Sequence, residues 1–212
     1  ERNELKVFWI LFEIAAGVFM QYDESQRKEL WLRYLTTPYP KIKHDQLVQI
    51  AGQLATVQSD FGMALQQLIP DELSKWQKEK LEVKASLLSD AEHIKTTAYR
   101  LVDNFIEQTD LFDDIVDNSF SAQQADDQIQ TITAFASFIR DSQQRSDAAY
   151  SFLQELKIKS RNQQRRKGVH LISVHKSKGL EWPVVIVPGL NAHYYPYSPE
   201  IEFSVPASEE SE

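Results

Sequence analysis

The chain has 212 residues, 42% of them hydrophobic and 25% charged, with a formal net charge of −8 and no cysteine. That is enough apolar material for one large or two small soluble domains. It excludes disulfides and thiolate metal sites, and it fits a reducing cytosol.

The first apolar stretch, "VFWILFEIAAGVFM" over 7–20, is 14 residues long and contains Glu13. A bilayer needs roughly 20 apolar residues, so the pattern predicts a buried helix and not a signal or membrane segment. Prolines 38, 40 and 70 then punctuate two further helical patterns, 45–69 and 71–88. Within 90–117, Ile94, Ala98, Leu101, Val102, Phe105 and Ile106 recur at three and four and share one helical face. Ser89 and Glu92 have capping-box spacing before that face. Ser121 and Gln124 repeat the spacing before 121–141, with Ile129, Ile132, Phe135 and Ile139 as its apolar face. A last helical pattern, 146–158, offers Phe152, Leu153 and Leu156 to the core.

The pattern changes near residue 167. "VHLISV" (169–174) and "VVIVPGL" (184–190) are short, β-prone runs without alternation. Such runs suit parallel strands covered on both faces. Two strands are too few for a sheet, so its remainder is expected outside this chain. Glu1 and the "EESE" ending likewise predict a segment of a longer protein. Charge is distributed unevenly. Lys157, Lys159, Arg161, Arg165, Arg166, Lys167, Lys176 and Lys178 fall in one window without Asp or Glu, so that window carries +8 and the rest −16. A polyanion can meet such a window although the whole chain is acidic, and a solvated linker would read the same way.

The stretch "VHLISVHKSKGLEWPVVIVPGL" over 169–190 orders an apolar strand, His175, a basic loop, Gly179-Leu180-Glu181 and a second apolar strand. A helical turn at Gly179 presents free backbone N–H groups, and a glycine lets a ligand approach the backbone. This stretch resembles motif V of the UvrD/Rep-like superfamily 1 DNA helicases. The resemblance implies a mainly α-helical chain with a small α/β portion belonging to a RecA-like P-loop NTPase domain. Residues 1–18 would lead out of the second RecA-like domain (2A), 19–165 would form the helical insertion called 2B, and 166–212 would return to 2A.

The resemblance also implies function. The parent would be an ATP-dependent DNA helicase, using ATP and Mg2+ to move 3′ to 5′ on single-stranded DNA and to unwind duplex. Gly179 and Glu181 would face the nucleotide. His175, Lys176 and Lys178 would face the DNA backbone, with Arg165, Arg166 and Lys167 of the basic window as further DNA contacts. The sequence contains no G-x-x-x-x-G-K-[ST] phosphate loop, so ATP and Mg2+ are expected to bind the parent and not this chain alone.

One departure concerns the duplex side. Many family members carry a Gly-Ile-Gly turn early in 2B, whose amides hold duplex phosphate. The matching stretch here, "TTPYPKIKHDQL" (36–47), has Lys41-Ile42-Lys43. Lysine side chains can still meet phosphate, but surface lysines before a helix give the same pattern. The sequence also admits a helicase subunit of a RecB- or AddA-type helicase–nuclease, and a non-catalytic helical module that binds DNA or protein.

Overall fold

The computed structural model describes residues 3–163, 172–173, 177–178 and 184–187. The chain divides into two compact units, Glu1–Arg165 and Arg166–Glu212. Among the described residues, the first unit is built from helices alone: α1 (Lys6–Ala15), α2 (Glu24–Thr36), α3 (His44–Thr56), α4 (Phe61–Gln67), α5 (Lys75–His93), α6 (Ala98–Gln108), α7 (Leu111–Asn118), α8 (Ala122–Ser142) and α9 (Ser146–Gln163). No helix among the described residues is long and apolar enough to cross a membrane.

α1 is the central helix. It buries Val7, Phe8, Ile10, Leu11, Phe12 and Ile14, and so apolar a surface is stable only when neighbours cover it on all sides. α5 and α9 pack on it most extensively, with α2 and α6 adding to the cover. A chain of ring contacts ties the helices together. Phe61 of α4 lies 5.2 Å from Trp31 of α2, Tyr34 lies 6.0 Å from Phe105 of α6, and Phe105 lies 5.6 Å from Phe8 of α1. Phe8 then stacks on Phe135 of α8 at 5.7 Å. Side chains start most of these helices. Asp23 with Gln26, and Ser74 with Gln77, form capping boxes on α2 and α5. Thr97 and Ser121 cap α6 and α8.

Two features differ from the sequence expectation. The helical pattern over 45–69 is two helices, α3 and α4, separated at Val57–Asp60. Asp60 sits in the left-handed region at φ 56. The N–H groups of Asp60 and Phe61 donate to the Glu92 carboxylate at 2.7 and 2.8 Å. Glu92 therefore caps α4 from across the fold, and it forms no box with Ser89. Both residues lie inside α5, which ends where Ile94 N–H donates to Asp90 O. Ile94 is half exposed rather than on the buried face of α6.

The second difference concerns the expected strands. Residues 172–173 and 184–187, their described parts, adopt no strand. Ser173 O instead accepts from Ser177 N–H at 3.1 Å, a one-turn spacing. A strand exists only by pairing, and Val184–Val187 are exposed along their length. The remainder of 169–174 and 184–190 lies outside the described residues.

The close approach of α4 to α5 depends on Gly62. A Cβ there would fall 2.0 Å from Ser89 Oγ and 2.3 Å from Ala85 O. At Gly52 on α3, a Cβ would meet nothing nearer than Lys28 Cε at 3.7 Å. Gly62→Ala should therefore destabilise by about 1–3 kcal/mol through overpacking. Gly52→Ala should stabilise by about 0.5–1 kcal/mol, because alanine is the better helix former. Urea unfolding of the two variants checks the contrast, and equal midpoints would contradict the packing described.

Candidate nucleic-acid interface

The turn joining α2 to α3 runs from Thr37 to Lys43, and its backbone polar groups are held from several directions. The Lys84 ammonium, on α5, donates to the carbonyls of Tyr34, Leu35, Thr37 and Pro38 at 3.0, 2.7, 3.1 and 2.8 Å. An ammonium has three protons, so four acceptors share them. Lys84 is 1% exposed, and the Tyr34 hydroxyl donates back to its carbonyl at 2.9 Å. Asp114 of α7 lies close enough to the turn to feel the Tyr39 N–H and the Lys84 and Lys41 charges. The Gln77 amide donates to Lys41 O, and the Tyr39 hydroxyl donates to Ile42 O. The Ile42 side chain is buried and anchors the turn from beneath.

Burial shapes the titration of these groups. It pushes the Lys84 ammonium well below the ordinary lysine range, and nearby Asp114 opposes the shift. Burial likewise raises the Asp114 carboxyl, while the Tyr39 N–H and Lys84 oppose that rise. The Tyr34 hydroxyl is pushed up by burial.

The outward side of the turn is basic. Lys41, Lys43 and His44 are exposed. Lys41 adopts φ 53, the left-handed conformation that glycine takes without strain and other residues at a cost of roughly 1–2 kcal/mol. Its ammonium lies 5.7 Å from the Trp76 ring on α5, and Lys80 lies 5.6 Å from the same ring. Lys43 is the N-cap of α3, with no side chain capping the helix. Gln46 N–H already donates to Lys43 O at 3.0 Å, so the amides of His44 and Asp45 are the ones offered to an outside acceptor at the positive end of the helix, beside the exposed Asp45 carboxylate. Lysines around an uncapped helix start form an anion-receptive surface.

A family model described as UvrD-like helicase C-terminal domain matches residues 20–212. The chain belongs to the UvrD-like helicase C-terminal domain family. Neither the curated proteins nor the solved structures give a match.

Among the residues picked out in the sequence of this UvrD-like domain, Lys41 and Lys43 come together on the turn. Lys41 takes the left-handed backbone that glycine adopts most readily. Lys43, at φ −55, needs no glycine. Lys178 is exposed in the second unit. Arg165, Arg166, Lys167, His175, Lys176, Gly179 and Glu181 lie outside the described residues. Within the basic window, Lys157 sits over Trp9 at 5.9 Å and Lys159 pairs with Glu155 at 3.6 Å.

Sequence patterns missed the residues that hold the turn: Lys84, Gln77, Trp76 and Asp114. Lys84 did leave a signal, because it falls on the buried stripe of α5 between Leu81 and Leu88. A lysine there needs acceptors or an acid, since burying an unpaired charge is prohibitive. Replacing it by methionine keeps the stem and removes all four donations. Lys84→Met should cost about 3–5 kcal/mol, at roughly 1 kcal/mol or more for each carbonyl left without a donor. Chemical denaturation reads this directly. A loss under about 1 kcal/mol, the worth of a single ordinary hydrogen bond, would mean that the carbonyls find other donors.

Proposed function

We propose that this UvrD-like domain is the duplex-holding and coupling part of an ATP-driven translocase that moves 3′ to 5′ on single-stranded DNA. In this reading the turn Thr37–Lys43 and the start of α3 receive phosphates of the duplex. Lys41 and Lys43 supply charge, and the α3 amides supply hydrogen bonds. The stretch 169–190 links nucleotide to single strand, with His175, Lys176 and Lys178 on the DNA side and Gly179 and Glu181 on the nucleotide side. Arg165, Arg166 and Lys167 extend the DNA track. ATP and Mg2+ are assigned to the whole protein, whose hydrolysis would drive the steps.

One observation carries the DNA half of the proposal. A surface turn is fixed by a buried lysine, a glutamine and a tyrosine, yet its exposed edge offers lysines and a helix start without a side-chain cap. A loop that only connects two helices has no need of a fixed, basic edge. Family membership supplies the polymer that such an edge would meet.

The test is the salt dependence of duplex binding. Each phosphate neutralised on B-DNA contributes about −0.9 to the slope of log K against log salt. Lys41→Ala combined with Lys43→Ala should therefore flatten that slope by about 1–2, while Lys75→Ala on exposed α5 should leave it unchanged. An unchanged slope in the double variant would remove the turn from the DNA interface.

A further inference from the structure

A second surface, on α6 to α8, has the opposite charge. Between Arg100 and Arg140 the chain has no Lys, Arg or His, and it carries Asp103, Glu107, Asp110, Asp113, Asp114, Asp117, Asp126 and Asp127. This stretch alone holds a charge of −8. Asp110 is paired with Lys80, and Asp114 faces the charges of Lys84 and Lys41. Asp113 in the first turn of α7, Asp117 near its end, and Asp126 and Asp127 near the start of α8 are exposed. No salt bridge from these four to a described residue is present in the fold.

Apolar side chains sit between these carboxylates. Phe120, in the α7–α8 loop, is 99% exposed, and Val116 is 58% exposed. The loop is held on both sides of the ring. The Asn118 amide donates to Asp114 O and Asp114 Oδ1, each at 2.9 Å, and Phe120 N–H donates to Gln124 Oε1 at 3.1 Å. Ser121 Oγ then accepts from Gln124 N–H to start α8. Its exposure follows from hydrogen bonds that fix the loop. A phenylalanine held fully in water forgoes roughly 1.5–3 kcal/mol of burial.

We propose that Phe120 and Val116, flanked in the chain by the exposed Asp113 and Asp117 of α7 and Asp126 and Asp127 of α8, form a docking site for a lysine- or arginine-rich protein segment that brings its own apolar side chain. Charge complementarity selects the occupant. The local charge repels nucleic acid and anionic lipid, and it draws a basic chain at an enhanced rate. Phe120 supplies the anchor that a purely electrostatic encounter lacks.

The experiment uses the whole chain and two labelled peptides of equal positive charge, read by fluorescence anisotropy. One is all lysine, and the other is lysine with a central pair of leucines. The leucine-bearing peptide should bind more tightly. Phe120→Ser should weaken it roughly tenfold while leaving the all-lysine peptide unchanged. Asp117→Asn with Asp126→Asn should weaken both and flatten their salt dependence. Phe120 packs against nothing, so Phe120→Ser should keep the wild-type thermal midpoint. No peptide binding, equal binding of the two peptides, or a leucine-bearing peptide indifferent to Phe120→Ser would each overturn the proposal. So would a loss of duplex DNA binding in Phe120→Ser, because it would make the surface a nucleic-acid contact.

Discussion

A single buried ammonium organises one end of the first unit. Lys84 takes the last carbonyls of α2 and the first carbonyls of the following turn. Those groups would otherwise need water or a cap, and the site is closed to water. Because Lys84 lies on α5, it also joins α5 to α2. Tyr34 closes the link by donating to the Lys84 carbonyl while its ring contacts Phe105. The helix end, the turn and the aromatic core thus share one fastening. The lysine loses hydration on burial, and carbonyl dipoles replace it, with Asp114 adding charge from α7.

That fastening decides what the turn can offer. With the carbonyls of Thr37, Pro38, Lys41 and Ile42 already bound, the turn leaves the Lys41 and Lys43 side chains exposed. Lys41 accepts a left-handed backbone at some cost in strain. Its carbonyl is fixed by Gln77, and its ammonium lies near the indole of Trp76. These partners belong to one face of α5, where Trp76, Gln77, Lys80 and Lys84 recur at helical spacing. A ligand at this edge meets groups that are already ordered, so little further entropy is lost on binding. Charge is separated along the same chain, with −8 between Arg100 and Arg140 and +8 between Lys157 and Lys178. The net value of −8 conceals both regions, and each suits a different class of partner.

The helical character was legible because most apolar faces repeat cleanly. Ala98, Leu101, Val102 and Phe105 are buried as their spacing requires, and so are Ile132 and Ile139. Ser121 was identifiable as a cap because an apolar run follows it. Ser89 and Glu92 show the limit of that rule, since a serine and a glutamate three apart also occur within a helix. Glu92 caps α4, a partner some thirty residues away in the chain that no local pattern reveals. Lys84 has its acceptors almost fifty residues upstream. A lysine at position 41 left the backbone conformation open, because residue identity alone does not fix φ. The runs at 169–174 and 184–190 read as strands from their β-branched composition, but a strand's hydrogen bonds are completed by neighbours that composition does not specify.

The most direct test of the turn as a DNA contact is an amide NMR titration of the chain with a short DNA duplex at low salt. Shifts should concentrate at Lys41 through Asp45, where uncapped amides meet phosphate, with the Trp76 indole N–H moving in step. Amides of α6 to α8 should stay in place, since their acidic surface repels the duplex. Shifts centred on α6 to α8, or an unchanged α3 start at saturating duplex, would contradict the assignment.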